Sequence, residues 1–242
     1  DGTEGYADAA EYVMDYLGKL SLTPSLWGIH ESVVAVQEGY GGDNRAIVFG
    51  AHLDSALTSR GVDQNGGGLA VVMLTAAILA HYRLPVDIYY CFYAGNMEFI
   101  DDQQKIRALW GSKEIVQRLG DQGTEVIVSY NFDEILFESD LQSPSERIVI
   151  EHDIVDSYFK TKYFADLLAS FMHQAGTDIV SIRQAMDTQT DHWSFWDENI
   201  PAVNVRSGHT PDPEFPPYDN PYSDDYNLDQ ALSLARAAAS VA

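Results

Sequence analysis

The sequence predicts a three-layer α/β sandwich, with a mixed, mostly parallel sheet covered by helices on both faces. Three observations carry this. Short apolar runs alternate along the chain with longer segments of helical periodicity, the order of elements that builds a parallel sheet with helical crossovers. The runs Ala46-Ile47-Val48-Phe49 and Ile88-Tyr89-Tyr90-Cys91-Phe92-Tyr93 are apolar at successive positions, as strands buried on both faces are. The chain has 242 residues, 45% of them hydrophobic, enough for one core, so residues 1–242 are expected to form a single domain.

Residues 8–20 place Ala9, Tyr12, Val13, Tyr16, Leu17 and Leu20 at helical spacing and predict a first amphipathic helix. Residues 27–37 alternate loosely and end at the turn Gly41-Gly42-Asp43-Asn44. A strand follows over 45–50, a helix over 66–82, and a strand over 86–94 after Leu84-Pro85. A helix near 111–119 precedes a strand over 125–132, and 147–151 form a further short strand. Residues 158–175 form a long helix, 179–182 and 200–205 strands, and 229–241 an Ala-rich closing helix with Asn227 or Asp229 near its start. Residues 208–225, rich in Pro, Asp and Tyr, read as an irregular surface loop whose aromatic residues could serve as an interaction surface. The other aromatic residues, Tyr82, Tyr89, Tyr90, Phe92, Tyr93, Trp193, Phe195 and Trp196, read as core.

The formal net charge is −23, from 37 acidic and 14 basic residues, which disfavours nucleic acid and anionic lipid as partners. Lysine is confined to Lys19, Lys105, Lys113, Lys160 and Lys162, a composition that suits a high-salt habitat and equally serves solubility. The one cysteine, Cys91, lies in an apolar run and reads as a buried, inert thiol. The apolar run from Leu69 to Leu79 has the length of a core helix and not of a bilayer span, so membrane insertion is not expected. The chain begins at Asp1 without an initiator Met or a signal peptide, as though a leader or preceding domain had been removed.

In a sheet of this kind, functional groups collect at the carboxyl ends of the strands. That rule brings His52, the segment after Ala94, Asp133 and the segment before Pro201 to one rim. His52 and Asp54 are two apart at a strand end and so point the same way. One can bind a metal while the other orients the imidazole. The glycines Gly66-Gly67-Gly68 lack the Lys-Ser/Thr of a phosphate loop, so close packing of helix on strand is their better account. No Gly-x-Ser-x-Gly nucleophile elbow occurs. His30, His81, His152 and His173 show no partner spacing.

His52-x-Asp54, a glycine-rich turn and a long apolar helix resemble the first metal motif of the M28 zinc aminopeptidases. Asp133 at a strand end, and Thr190-Asp191-His192 followed by Phe195 and Ile200-Pro201-Ala202-Val203, resemble that family's later motifs. Gly208-His209-Thr210 echoes a His-Thr turn near the family's end. The resemblance implies a zinc aminopeptidase-like fold and two zinc ions on the rim, held by counterparts of His52, Asp133 and His192, by a bridging Asp and by a Glu, with a second Glu as general base. It also implies a secreted or cell-surface location. The carboxylates are where this chain departs. Gln64 stands at the position of the bridging Asp, with Asp63 one residue away as a substitute. Asn96 stands at the general-base position and Met97 at that of a zinc-binding Glu. An amide has no lone pair basic enough to take a proton near neutral pH, a loss of about 10²–10⁴ in rate. A thioether is a soft ligand that replaces a carboxylate on zinc poorly. The link from Phe99 to Trp110 is longer than the family's.

The expected function is therefore an M28-like domain that is inactive or strongly impaired as an enzyme. It would act as an extracellular structural or binding module, for peptides or for other copies of itself. His52, Asp133 and His192 could still hold one zinc ion, the site otherwise taking none. The alternative is an active zinc aminopeptidase with a reduced metal site and Glu98, Asp63 or Glu134 as replacement base, although Glu134 and Glu138 read as solvated. Cyclotransferase chemistry of the glutaminyl cyclase type shares the scaffold and ranks below both.

Overall fold

A computed structural model of the chain describes residues 4–55, 61–95, 99–100, 106–107, 109–136, 148–153, 158–177, 180–184, 190–207 and 227–242. Its elements run in the order α1 (Glu4–Lys19), β1 (Ser25–Trp27), β2 (Ser32–Gln37), β3 (Arg45–His52), α2 (Gly68–Leu79) and β4 (Asp87–Tyr93). A short hairpin of β5 (Phe99–Ile100) and β6 (Ile106–Arg107) precedes α3 (Trp110–Asp121), β7 (Glu125–Phe132) and β8 (Ile148–His152). The chain continues through α4 (Tyr158–Gln174), β9 (Val180–Gln184), α5 (His192–Trp196) and β10 (Ala202–Ser207) to α6 (Leu228–Val241).

One eight-stranded sheet has the order β1-β2-β4-β3-β7-β10-β8-β9. Its middle, β4-β3-β7-β10, is parallel, and antiparallel pairings occur at β1–β2, β2–β4 and β10–β8. The mixed, mostly parallel sandwich expected from the sequence is present. One face carries the larger core, in which Val13 and Leu17 of α1, Val71 and Ala76 of α2, Leu168 and Met172 of α4 and Leu234 of α6 pack on Phe49, Tyr90 and Tyr130. The other face is covered by Ile115 and Leu119 of α3 and Phe195 of α5, packed with Val48, Tyr89 and Tyr93.

Several boundaries differ from the sequence reading. The first helix begins at Glu4 and buries Tyr6, Ala10, Val13 and Leu17, while Tyr12 stays 65% exposed. Its periodic stripe is thus rotated from the one the sequence favours, because the sheet beneath accepts a narrower face. Residues 27–37 are not one segment but part of the β1–β2 hairpin. Tyr82 is exposed rather than core. The five-residue α5 is too short to leave a periodic signal and is fixed by its buried Phe195.

The helix after the glycine turn begins at Gly68, behind a wide turn over Val62–Gly67 that leaves helical geometry at Gln64 and Asn65. At Gly68 a Cβ would fall 2.2 Å from the Phe132 carbonyl oxygen, so helix and strand meet closer there than any side chain allows. Asn65 ties the same junction, its amide donating to the Phe132 carbonyl (2.8 Å) while its oxygen accepts from Gly68 N–H (3.0 Å). Residues 62–79 taken together have the length and hydropathy of a bilayer span, but the regular helix is Gly68–Leu79, in line with the run read from sequence. More than half of that segment is nonetheless buried inside the protein, as a core helix is.

Candidate active site at the carboxyl rim of the sheet

β3, β7 and β10 run parallel and end together, and their last residues build the site. The residues of β7 that face the α3/α5 side are Ser129 and Asn131, and Asp133 continues that series just past the strand end. On β10 the same side holds Ala202, Asn204 and Arg206. Asn131 and Asn204 are partners in the ladder, and their side chains hydrogen-bond at 2.9 Å. One step nearer the rim, Asp133 N–H donates to the Val205 carbonyl and Ser207 N–H to that of Glu134, so Arg206 ends up beside Asp133.

His52 is buried with its two nitrogens occupied. Nδ1 lies 2.8 Å from the backbone carbonyl oxygen of Asp54 and Nε2 lies 3.2 Å from Asp133 Oδ1. The carboxylate of Asp54 is 3.7 Å from Nδ1, so the backbone oxygen of Asp54, more than its side chain, sets the tilt of the ring. Burial alone would push the His52 pKa down. The carboxylates of Asp133 and Asp54 outweigh it and hold the imidazole protonated well above its usual range.

His192, at the start of α5, is fully buried. Its Nδ1 pairs with the Thr190 hydroxyl, while Nε2 has no hydrogen-bond partner among the described residues. Burial lowers its pKa to about 4, which keeps the ring neutral. Asp191 beside it is also buried, and desolvation raises its carboxyl to about 7 despite the opposing charge of His52 and a hydrogen bond from Ser112. The sequence presented Asp191 only as part of a motif. Its burial follows from the tertiary position of α5, which no local pattern reports.

Gln64, which the resemblance sets at the bridging position, donates its side-chain amide to the carboxylate of Glu134. Glu134 has a left-handed backbone (φ 49) and is half-buried against Gln64, less solvated than the sequence suggests. Burial, with the neighbouring charge of Asp133, raises its pKa. Asp63 is buried, and its Oδ1 accepts from Leu136 N–H at 2.8 Å, a contact that ties the glycine turn to the chain after β7. Asn96, Met97, Glu98, Glu138 and His209 lie outside the described residues. Where β4 ends, Trp110 N–H donates to the Gly95 carbonyl and Gly111 N–H to that of Ala94, so the long link re-enters α3 beside the place where it left.

The structure thus brings His52 and Asp133 into contact and sets His192 within electrostatic reach of Asp133. Among the described residues, no group of three or more His, Cys, Asp or Glu side chains is arranged to hold a metal ion. Judged by donor chemistry, two imidazoles and a carboxylate suit one zinc ion, and an unpartnered buried nitrogen such as Nε2 of His192 is what a metal ligand would offer. Gln64 is unsuited to bridging two ions, because a neutral amide lacks the two anionic oxygens that requires.

A parallel sheet ending in a His–Asp rim over a glycine turn defines an α/β sandwich of the zinc-exopeptidase type. The chain belongs to peptidase family M28, whose model matches residues 32–241. Leupeptin-inactivating enzyme 1 of Streptomyces exfoliatus is 26% identical over 214 residues, covering 86% of this chain and 44% of that protein. The chain therefore spans under half the length of that relative. Among solved structures, a zinc aminopeptidase from Bacillus subtilis is 18% identical with a TM-score of 0.67, covering 87% of this chain and 49% of that one. A glutaminyl cyclase from Macrostomum lignano is 15% identical with a TM-score of 0.77, covering 98% and 82%. Likeness at these identities shows the fold. The family and its zinc aminopeptidase neighbours point to zinc as the metal the scaffold takes.

Proposed function

We propose that this M28 domain has given up two-metal hydrolysis and acts as a peptide-binding module at the cell surface or outside the cell, with room for at most one zinc ion. One observation carries the reading: Gln64, the counterpart of the bridging Asp by resemblance, spends its amide on Glu134. Asn96 and Met97 at the base and ligand positions of the resemblance point the same way. The residues that would hold the single ion are His52, Asp133 and His192, and a zinc ion there would polarise a peptide carbonyl. The rest is done by the chain itself. Asp54 holds the His52 ring through its backbone oxygen, and the carboxylates of Asp133 and Glu134 attract the α-ammonium group of a peptide. The acidic composition supports an extracellular setting, and assembly with further copies of the chain belongs to the same proposal.

Metal content by elemental analysis, with a panel of aminoacyl substrates assayed in added zinc, tests this. The expected result is no more than one equivalent of zinc and no release of amino-terminal residues. Installing Gln64→Asp, Asn96→Glu and Met97→Glu together should create activity. Two equivalents of zinc with turnover, lost on His52→Ala, would overturn the reading. It would favour the second one, an active zinc aminopeptidase with a reduced site. That second reading has its own support in His192 Nε2, unpartnered among the described residues, and in the half-buried Glu134 as a base.

A further inference from the structure

The α3/α5 side of the sheet carries a charged group that hydrolysis does not need. Glu151 of β8 is 1% exposed in its side chain and lies opposite Asn204 in the ladder. Its Oε2 accepts from Asn204 Nδ2 at 2.9 Å. Its Oε1 receives two guanidinium groups: Arg183 of β9 through Nε (3.1 Å) and Nη2 (2.9 Å), and Arg206 of β10 through Nε and Nη2 (both 3.2 Å). The charge of Arg206 is shared with Glu134 at the rim, so Arg183, on the edge strand, is the guanidinium turned outward. The Arg206 side chain is 14% exposed, and that of Arg183, on the edge strand, is 46% exposed. Each guanidinium reaches Glu151 through Nε and one Nη, so the other Nη of each remains a donor.

This cationic group lies on the strands next to Asp133 and Glu134. Arg206 stands beside Asp133, and the two guanidiniums converge on β8, two strands away from β7. Glu151 is level with Asn204 and Asn131, two residues back from Asp133, so the separation is two strand spacings across and two residues along, about 12 Å. An extended chain advances about 3.3–3.6 Å per residue, so three residues span roughly 10 Å. The distance from the anionic rim to the cationic group is therefore comparable to that between the two charged ends of a tripeptide.

We infer that Arg183 and Arg206 form a clamp for the terminal carboxylate of a short peptide, about three residues long, whose α-ammonium group sits at Asp133 and Glu134. Glu151 holds the two guanidiniums together, and Arg183, the more exposed of them, offers its outer edge to the ligand. Guanidinium–carboxylate pairing of this kind discriminates a carboxylate from an amide, which has no charge to offer. The inference rests on the peptide-binding reading above and specifies its ligand.

Isothermal titration with trialanine and with its carboxy-terminal amide tests both separately, the peptide being recovered afterwards to show that it is intact. The acid is expected to bind about tenfold more tightly than the amide. That preference should vanish in Arg183→Gln, which leaves Arg206 on Glu151 and the thermal midpoint nearly unchanged. Equal binding of acid and amide would overturn the clamp and leave peptide binding standing. Binding of neither would overturn both. If trialanine is cleaved, the non-hydrolytic reading falls, and the clamp is then judged by the ratio of KM values for acid and amide, which equality would refute.

Discussion

Gln64→Asp is the substitution with the clearest consequences. The Gln64 amide donates to the Glu134 carboxylate, and a hydrogen bond to a charged acceptor is worth about 1.5–3 kcal/mol. Aspartate removes that donor and sets a new negative charge beside Glu134 and Asp133. Two like charges about 4 Å apart repel by about 4 kcal/mol at an effective dielectric constant of about 20. Protonation relieves part of this, because Glu134 is already raised by burial. A net loss of about 3–5 kcal/mol in chelator is expected. For a chain of this size that is roughly 10 °C in thermal midpoint, at about 2–4 °C per kcal/mol. Zinc reverses the sign, since the same charge is what a metal needs. At a hundredfold excess over its dissociation constant, a newly bound ion restores about 2.7 kcal/mol. Differential scanning calorimetry of parent and variant, in chelator and in zinc, measures both effects. If the zinc-induced rise in the variant is no larger than in the parent, Gln64 does not stand where a bridging carboxylate is missing.

Three further outcomes follow from the packing. Burial alone would raise the Glu151 pKa, but Arg206, Asn204 and Arg183 outweigh it and hold it below the usual carboxylate range. Its folded pKa lies below its unfolded one, so its contribution is present at neutral pH and is lost as pH falls through the folded value. Glu151→Gln should therefore lower urea stability at pH 7 by about 2 kcal/mol and flatten the acid limb of the stability profile. The loss stays below that for breaking a fully buried pair because Arg183 is half exposed. An acid limb unchanged by the substitution would count against the assignment. Cys91 is buried and its thiol pKa is raised by desolvation, so Ellman's reagent should find no reactive thiol in the native protein and one after unfolding. At Gly50 a Cβ would lie 2.1 Å from the Tyr93 hydroxyl and 2.4 and 2.5 Å from its ring carbons, with Tyr93 fully buried. Gly50→Ala should cost about 3 kcal/mol in urea denaturation, and a near-neutral effect would mean that Tyr93 can leave its place.

Much of the fold was legible because it rests on local pattern. The unbroken apolar runs at 46–49 and 88–93 can be satisfied only by strands covered on both faces, and 66–82 only by a core helix. The rim followed from the same logic, since β3 ends at His52 and β7 just before Asp133 whatever their exact register. What the sequence could not decide was which polar groups find one another. The Gln64–Glu134 contact depends on a left-handed turn at Glu134 and on the wide turn before α2, neither of which has a local signature. The hydrogen bond of Asp63 to Leu136 and the burial of Asp191 depend on contacts between residues far apart in the chain. The clamp on Glu151 joins β8, β9 and β10, whose order in the sheet is set by crossovers and not by neighbouring residues. Sequence alone thus determined the layers and the rim, because periodicity and residue chemistry act over a few positions. Tertiary structure decided the pairing of charges, because electrostatic partners are chosen by distance in space.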